Sequence, residues 1–195
     1  LNCSSTLNLT LFLQGYYTGS NTMAEAMANQ GYLPTPASGD CDDITVELHD
    51  AVTTTTIAGT TTARLHADGT ASASFTPGVT GNYYIVIKHR NSLQTWSTDP
   101  VTLATTTSYN FTTAAAQAYA DQLVEVEPGV WALYSGDILI DENIDLWDFS
   151  LLDADIASFI FGYVSTDLDG DGSVDLLDRA MLENNVLNFI YTQYP

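Results

Sequence analysis

Basic residues are nearly missing from this chain: Arg64, Lys88, Arg90 and Arg179 stand alone against 24 acids, giving a formal charge of −20. That balance argues against nucleic acid or an anionic membrane as a partner. Histidine is scarce as well. His49, His66 and His89 all fall in stretches that read as strands, and there is no Gly-x-Ser-x-Gly elbow and no His-Glu-x-x-His pair. The commonest hydrolase and metalloprotease designs are thereby set aside, and no enzyme is expected. No apolar run is long enough to span a bilayer. The chain starts without a signal peptide, so any such peptide is expected to have been removed. Cys3 and Cys41 are the only cysteines. In a secreted chain one pair suggests a disulfide, with two buried thiols as the alternative; zinc is not indicated, because no histidine lies near either. Sequons at Asn2, Asn8 and Asn110 could accept sugar in a eukaryote and would mean nothing in a bacterial product.

What is abundant is aspartate, and its spacing is informative. Residues 167–178, Asp-Leu-Asp-Gly-Asp-Gly-Ser-Val-Asp-Leu-Leu-Asp, have the pattern of a twelve-residue calcium loop. Ca²⁺ takes six to eight hard oxygen donors at roughly 2.3 to 2.6 Å, which calls for carboxylates at alternate positions and a glycine at position 6 for the sharp turn. Asp167, Asp169 and Asp171 are expected as direct ligands. Ser173 would offer its backbone carbonyl at position 7, Asp175 would act directly or through water, and Asp178 would close the shell from the first turn of a helix. Gly172 supplies the turn.

The loop is one half of a repeat. A shift of 30 residues aligns Asp137 with Asp167, Asp141 with Asp171, Asp145 with Asp175, Asp148 with Asp178, Leu152 with Leu182 and Phe159-Ile160 with Phe189-Ile190. Each loop runs into a short helix with apolar residues three and four apart, Trp147 and Leu151 in one copy, Leu177, Ala180 and Met181 in the other. Asn184 and Asn185 are expected to end the second helix. The first loop has Leu139 at position 3 and Glu142 in place of the turn glycine, with Asn143 at position 7. It retains Asp137, Asp141, Asp145 and Asp148, so calcium at weaker affinity is expected there, or a loop that has lost its ion and survives as packing.

Residues 136–191 resemble a type I dockerin, a tandem of loop-plus-helix halves that lacks the entering helix of an EF-hand and uses Asp at position 12. In dockerins that plug into cohesins, positions 10 and 11 of each loop are often a small polar pair. Here they are Leu146-Trp147 and Leu176-Leu177. Apolar residues of that size are expected to be covered, by the rest of the chain or by a neighbouring subunit.

Residues 1–127 read as an antiparallel, Ig-like β-sandwich of about seven strands, with 128–195 as the calcium-binding domain after it. Leu7, Leu9, Leu11 and Leu13, then Ile44, Val46 and Leu48, then Tyr83, Ile85 and Ile87 recur with period two, the mark of half-buried strands. Asp68-Gly69 signals a hairpin, and Pro77-Gly78 and Gly81-Asn82 supply turns. Val101–Leu103 and 109–113 complete the strands. The segment 112–123 is helix-prone, and Pro128-Gly129 is a natural joint. The run Asn82-Tyr83-Tyr84-Ile85-Val86-Ile87-Lys88-His89-Arg90-Asn91-Ser92-Leu93, with Thr95-Trp96-Ser97 and Tyr109-Asn110-Phe111-Thr112-Thr113-Ala114-Ala115, resembles a β-domain that precedes dockerin-like repeats at the C-termini of large secreted bacterial proteins. Secretion and calcium are what these resemblances imply, with an extracellular or cell-surface location.

Sixteen of the 24 acids lie after residue 120, so self-repulsion should oppose compaction of the tail until cations bind. Lys88, His89 and Arg90 form the one basic cluster, open to an anion or, on the plainer reading, to acids such as Glu47 or Asp99. Asp40, Asp42 and Asp43 suggest a third cation site or an exposed turn. Two non-catalytic functions follow. One is a structural subunit that assembles with copies of itself into an extracellular fibre, tube or surface array, the strand Leu7–Leu13 being donated to a neighbour. The other is an attachment module for a cell-surface receptor, or a polysaccharide-binding module in which Trp96 and Trp131 stack on sugars.

Overall fold

Period-two patterning becomes sheet. A computed structural model describes residues 4–30 and 37–195; Cys3 and the Asn2 sequon lie outside them. The chain forms β1 (Ser5–Thr10), a small hairpin of β2 (Tyr17–Gly19) and β3 (Thr22–Met23), a single helical turn α1 (Ala26–Asn29), then β4 (Asp40–Asp50), β5 (Ile57–His66), β6 (Thr70–Phe75), β7 (Gly81–Lys88), β8 (Thr95–Trp96), β9 (Val101–Leu103) and β10 (Thr106–Asn110). A hairpin of β11 (Val124–Glu127) and β12 (Val130–Ala132) precedes the helices α2 (Leu146–Ala157) and α3 (Leu176–Leu187). The fold is thus mainly β, with few helices.

One sheet carries most of it, in the order β10-β1-β6-β5-β4-β7-β8, with β9 also paired to β7. The sheet curls. After the Asp68-Gly69 turn, β5 and β6 share one registered pair, Leu65 with Ala71, and then part. Residues from both sides of that seam share a single core: Leu7, Leu9, Ala73 and Phe75 from one, Ile44, Val46, Leu48, Ile85 and Ile87 from the other. Burying a large aliphatic or aromatic side chain contributes about 1.5 to 3 kcal/mol, so this shared core is what holds the curl closed.

Four expectations are corrected. The sheet is not wholly antiparallel, because β1 and β10 run parallel in register from Thr6–Thr106 to Thr10–Asn110. β1 also pairs with β6, so both its edges are hydrogen-bonded and it is no free strand for donation. Gly81-Asn82 opens β7 rather than forming a turn. The helix expected at 112–123 is replaced by two 3₁₀ turns, Ala115–Gln117 and Tyr119–Asp121. Ala118, wholly buried and extended, bridges to Ser97 between them, and that pairing overrides alanine's helix propensity. Pro128-Gly129 is the turn of the β11–β12 hairpin, whose Val124, Val126, Val130 and Trp131 pack on the sheet core.

The loop–helix tail has its own small core, built from equivalent positions of the two copies: Ile138 and Leu168, Ile144 and Val174, Leu152 and Leu182. Leu93, from the segment after β7, joins it and ties the tail to the sheet. The approach between the two is closest at Gly15, where a Cβ would sit 1.9 Å from the Leu168 carbonyl oxygen. Only glycine allows such backbone proximity. Gly15→Ala is expected to lower stability by about 3 kcal/mol, the upper end of overpacking effects. Urea unfolding would measure it, and an unchanged midpoint would show that the close approach is not made.

Candidate functional site

The second acidic loop is built by carboxylates turning inward onto its own backbone. Asp167 is wholly buried; its Oδ1 accepts from Gly170 N at 3.0 Å and its Oδ2 from Gly172 N at 3.3 Å. Asp169 accepts from Asp171 N and Asp171 from Ser173 N, at 3.1 and 2.7 Å. Ligand oxygens of Asp167, Asp169 and Asp171 lie within 4.8 Å of one another, a spacing that suits three hard donors around one ion. Asp175 and Asp178 are at the start of α3, where they form a capping box: Asp175 Oδ1 accepts from Leu177 N at 2.7 Å, and Asp178 Oδ2 from Asp175 N at 2.8 Å. Asp178 Oδ1 also takes Leu168 N at 2.6 Å and Asp169 N at 3.2 Å. A carboxylate has about four lone-pair sites, so these bonds orient the donors and leave capacity for a cation. The all-oxygen, carboxylate-rich donor set fits Ca²⁺, which would supply the positive charge that the backbone dipoles only partly replace.

The first loop copies this backbone with less suitable residues. Asp137 accepts from Asp141 N and Glu142 N at 3.0 and 3.1 Å, and Asp148 from Ile138 N, Leu139 N and Asp145 N at 2.8, 3.0 and 2.9 Å. Asp145 caps α2 as Asp175 caps α3, and Asn143 N bonds Asp141 Oδ1 at 3.1 Å. Glu142 takes a φ of 72° where Gly172 has 91°, and Ile140 a φ of 55° where Gly170 has 76°. A side chain in that left-handed region carries strain of order 1 kcal/mol or more. Leu139, at the third position, is exposed and offers no ligand. Among the described residues only the second loop gathers three acidic ligands so closely.

The copies are joined across a pseudo-twofold. Ile144 N bonds Ile190 O at 2.9 Å and Val174 N bonds Ile160 O at 3.3 Å, with bridges Asn143–Tyr191 and Phe161–Ser173. Each loop therefore lies beside the segment that follows the other copy's helix. The apolar residues expected to be covered are not: Trp147 and Leu177 are 70% and 64% exposed, and Phe159 and Phe189 85% and 82%. Leu146 and Leu176 are exposed beside them. Asn184 and Asn185 do not end α3, which runs to Leu187; Asn185 is buried and donates to Ser135 O at 2.7 Å and Gln14 Oε1 at 2.8 Å.

Between sheet and tail lies a charged seam that the sequence pattern does not disclose. Arg90 Nε donates to Asp42 Oδ2 at 3.0 Å, its other nitrogens donate to the Val164 carbonyl and the Tyr16 hydroxyl, and its guanidinium stacks 4.1 Å from the Tyr163 ring. Tyr163 donates to Asp42 Oδ1. His89 Nε2 stands 3.1 Å from Asp42 Oδ2, off the hydrogen-bond axis, while its Nδ1 meets Ser92 Oγ at 3.0 Å. Burial alone would raise Asp42; His89, Arg90 and Tyr163 instead hold its carboxyl well below the usual carboxylate range. Ser92, His89 and Asp42 adjoin one another without the alignment of a nucleophilic triad, since His89 Nε2 makes no hydrogen bond to Asp42, and all three residues are buried. Asp40 and Asp43 are neither a cation site nor a free turn: they lie on β4 and pair with Arg64 at 2.9 and 2.7 Å. Lys88 meets Glu47 at 2.9 Å, the plainer of its two expected uses. Trp96 is buried beneath Tyr194 and His49, which removes it as a sugar platform. Cys41 is buried and has no disulfide partner among the described residues; its expected partner Cys3 falls outside them.

Burial, reinforced by neighbouring acids, pushes Asp169 up to about 6 and Asp137 up to about 7, and raises Asp148, Asp167 and Asp178. These groups bind protons more readily folded than unfolded, where Asp titrates near 3.9. Their contribution to stability is therefore fully present below about pH 4 and is lost as pH rises through about 7. In chelator the melting temperature of the tail should rise on acidification from pH 8 to 5.5, and in millimolar Ca²⁺ that gain should shrink or reverse, since protons displace the ion. Asp167→Ala with Asp171→Ala should unfold the region after Tyr134, as loss of ligands leaves the other carboxylates to repel. Melting curves in chelator that overlay those in calcium would refute both expectations.

No family model and no curated protein matches this sequence. Among solved structures the fold is similar to a chain of a type II Cohesin-X-Dockerin complex from Acetivibrio cellulolyticus carrying a C-terminal interface mutation, at 17% identity and a TM-score of 0.52, over 93% of this chain and 95% of that one. It is also similar to a chain of the N-terminal interface mutant of that complex, at 17% identity and a TM-score of 0.53, over 97% and 99%. At this identity the likeness is one of fold: a mainly β chain with a curled, sandwich-like sheet and few helices.

Proposed function

We propose that this chain is a non-catalytic, secreted bacterial docking module of dockerin type, in which calcium holds the two loop–helix units in shape and a protein partner seats on their exposed apolar residues. The observation that carries this reading is the exposure of the apolar pairs Leu146-Trp147 and Leu176-Leu177 at equivalent helix starts, with Phe159 and Phe189 beyond the helix ends. Exposed apolar area of this kind marks an interaction site. The near-complete alignment to chains of Cohesin-X-Dockerin complexes adds support and suggests a cohesin-like partner. With sixteen of the chain's 24 acids after residue 120, the partner's matching surface would be apolar with a basic rim. Calcium is the structural cofactor, held more tightly in the second loop than in the first. An extracellular or cell-surface location follows from that role, and no described helix is long and apolar enough to cross a membrane.

Self-assembly remains a second reading, because the same apolar face would serve a contact between copies. It does not use β1, whose edges are filled.

Titration calorimetry with a type II cohesin domain, and sedimentation of the chain alone, in calcium and in chelator, separate the two. A calcium-dependent one-to-one complex is expected, weakened at least about 30-fold by Trp147→Asp or by Leu177→Asp, the scale of a central hot-spot residue. Self-association lost in those variants would favour assembly. A monomer that binds no cohesin would sink the docking reading.

A further inference from the structure

The two copies of the repeat are not held alike. In the first loop the Asp137 carboxylate accepts, among the described residues, from its own loop, at Asp141 N and Glu142 N. In the second, Asp167 is gripped from outside. Gln30, just past α1 and 137 residues away in sequence, donates Nε2 to Asp167 Oδ2 at 2.6 Å. Asn91, after β7, donates Nδ2 to the Asp167 carbonyl at 3.1 Å. The approach leaves no slack: a Cβ on Gly172 would stand 3.3 Å from Gln30 Cγ, and one on Gly170 2.9 Å from Ala26 Cβ and from Tyr16 Cδ1. The second loop's glycines thus serve the seam as well as the turn. Chemistry sets the amide's orientation, because an oxygen turned toward Asp167 would meet a carboxylate. Among the described residues the Gln30 Oε1 is accordingly left buried without a partner. A polar side chain held at such a cost calls for a physical reason.

We propose that Gln30 is a positioning residue of the second calcium site, fixing the carboxylate of its first ligand from the sheet region so that calcium affinity and docking of the tail are one equilibrium. The inference rests on the calcium reading given above and extends it. With Gln30 and Gly172 N both on Oδ2 and only Gly170 N on Oδ1, Oδ1 keeps a lone pair for the ion, as hydrogen-bond partners outside the coordination shell commonly orient a metal-binding carboxylate. Linkage then runs both ways: calcium at Asp167 strengthens the Gln30 contact and hence the seam, and docking of the seam raises calcium affinity by the same factor.

Calorimetric calcium titration of the full chain, wild type and Gln30→Leu, tests this. The first loop is silenced in both by Asp137→Asn with Asp141→Asn. The variant should bind about 10- to 100-fold more weakly, the usual cost of losing such a partner, and its melting temperature should fall further below the parent's in calcium than in chelator. Terbium luminescence lifetimes should report the same number of metal-bound waters in both. Equal affinity, or a melting temperature lowered equally with and without calcium, would make Gln30 a packing residue and overturn the proposal. One extra water on terbium in the variant would make it a direct ligand and overturn the positioning role. A parent that binds no calcium would defeat the calcium reading itself, and this inference with it.

Discussion

Mutual repulsion among carboxylates is the constraint around which the tail is organised. Asp137, Asp148, Asp167 and Asp178 are almost inaccessible to water, and ionised groups are costly to bury unless something replaces their solvation. Here the backbone does so. Each of the four accepts two or more N–H groups from its own loop or the start of its own helix, so that forming the turn and capping the helix are the same act as solvating the acid. The residual charge defines what a cation adds. It also explains why Ile140 and Glu142 tolerate left-handed backbone: leaving that conformation would take N–H donors away from Asp137.

The second dependence is on the seam. In a chain with four basic residues, one arginine is placed where Asp42, Tyr16, Tyr163 and the Val164 carbonyl converge. A buried ion pair contributes little net stability against an apolar alternative, whereas its geometry is demanding. Arg90 therefore acts mainly on orientation, deciding how the tail sits on the sheet, and the apolar contacts around Leu93 and Leu168 provide the driving force.

Local patterns were readable from the sequence, and arrangements of distant segments were not. Strands with one inward face stood out because period two survives any topology: Leu7 and Leu9, Ile44, Val46 and Leu48, Ile85 and Ile87 are all buried. The 30-residue repeat was visible as spacing, and the structure places equivalent residues at equivalent points, down to a φ of 53° at Phe159 and 54° at Phe189. The parallel partner of β1 lies about a hundred residues along the chain, and nothing local announces it. The alanine-rich stretch at 112–123 misled because propensity is weak beside one buried bridge at Ala118. Gln30 and Asn91 were missed since each is unremarkable alone, and Asp42 and Arg90 stood out separately without any sign that they pair. Gly15 and a rare arginine were the only hints, and neither says what approaches it.

β1 lies between two ladders of different sense, antiparallel to β6 over six residue pairs and parallel to β10 over five. Tension applied at Ser5 along the strand, toward the N-terminal side, would run parallel to both ladders. Their hydrogen bonds would be loaded together in shear, whereas a strand lifted from a sheet edge loses its bonds one after another. Under such load the first strand would act as a mechanical clamp, bearing tension before the core beneath it opens.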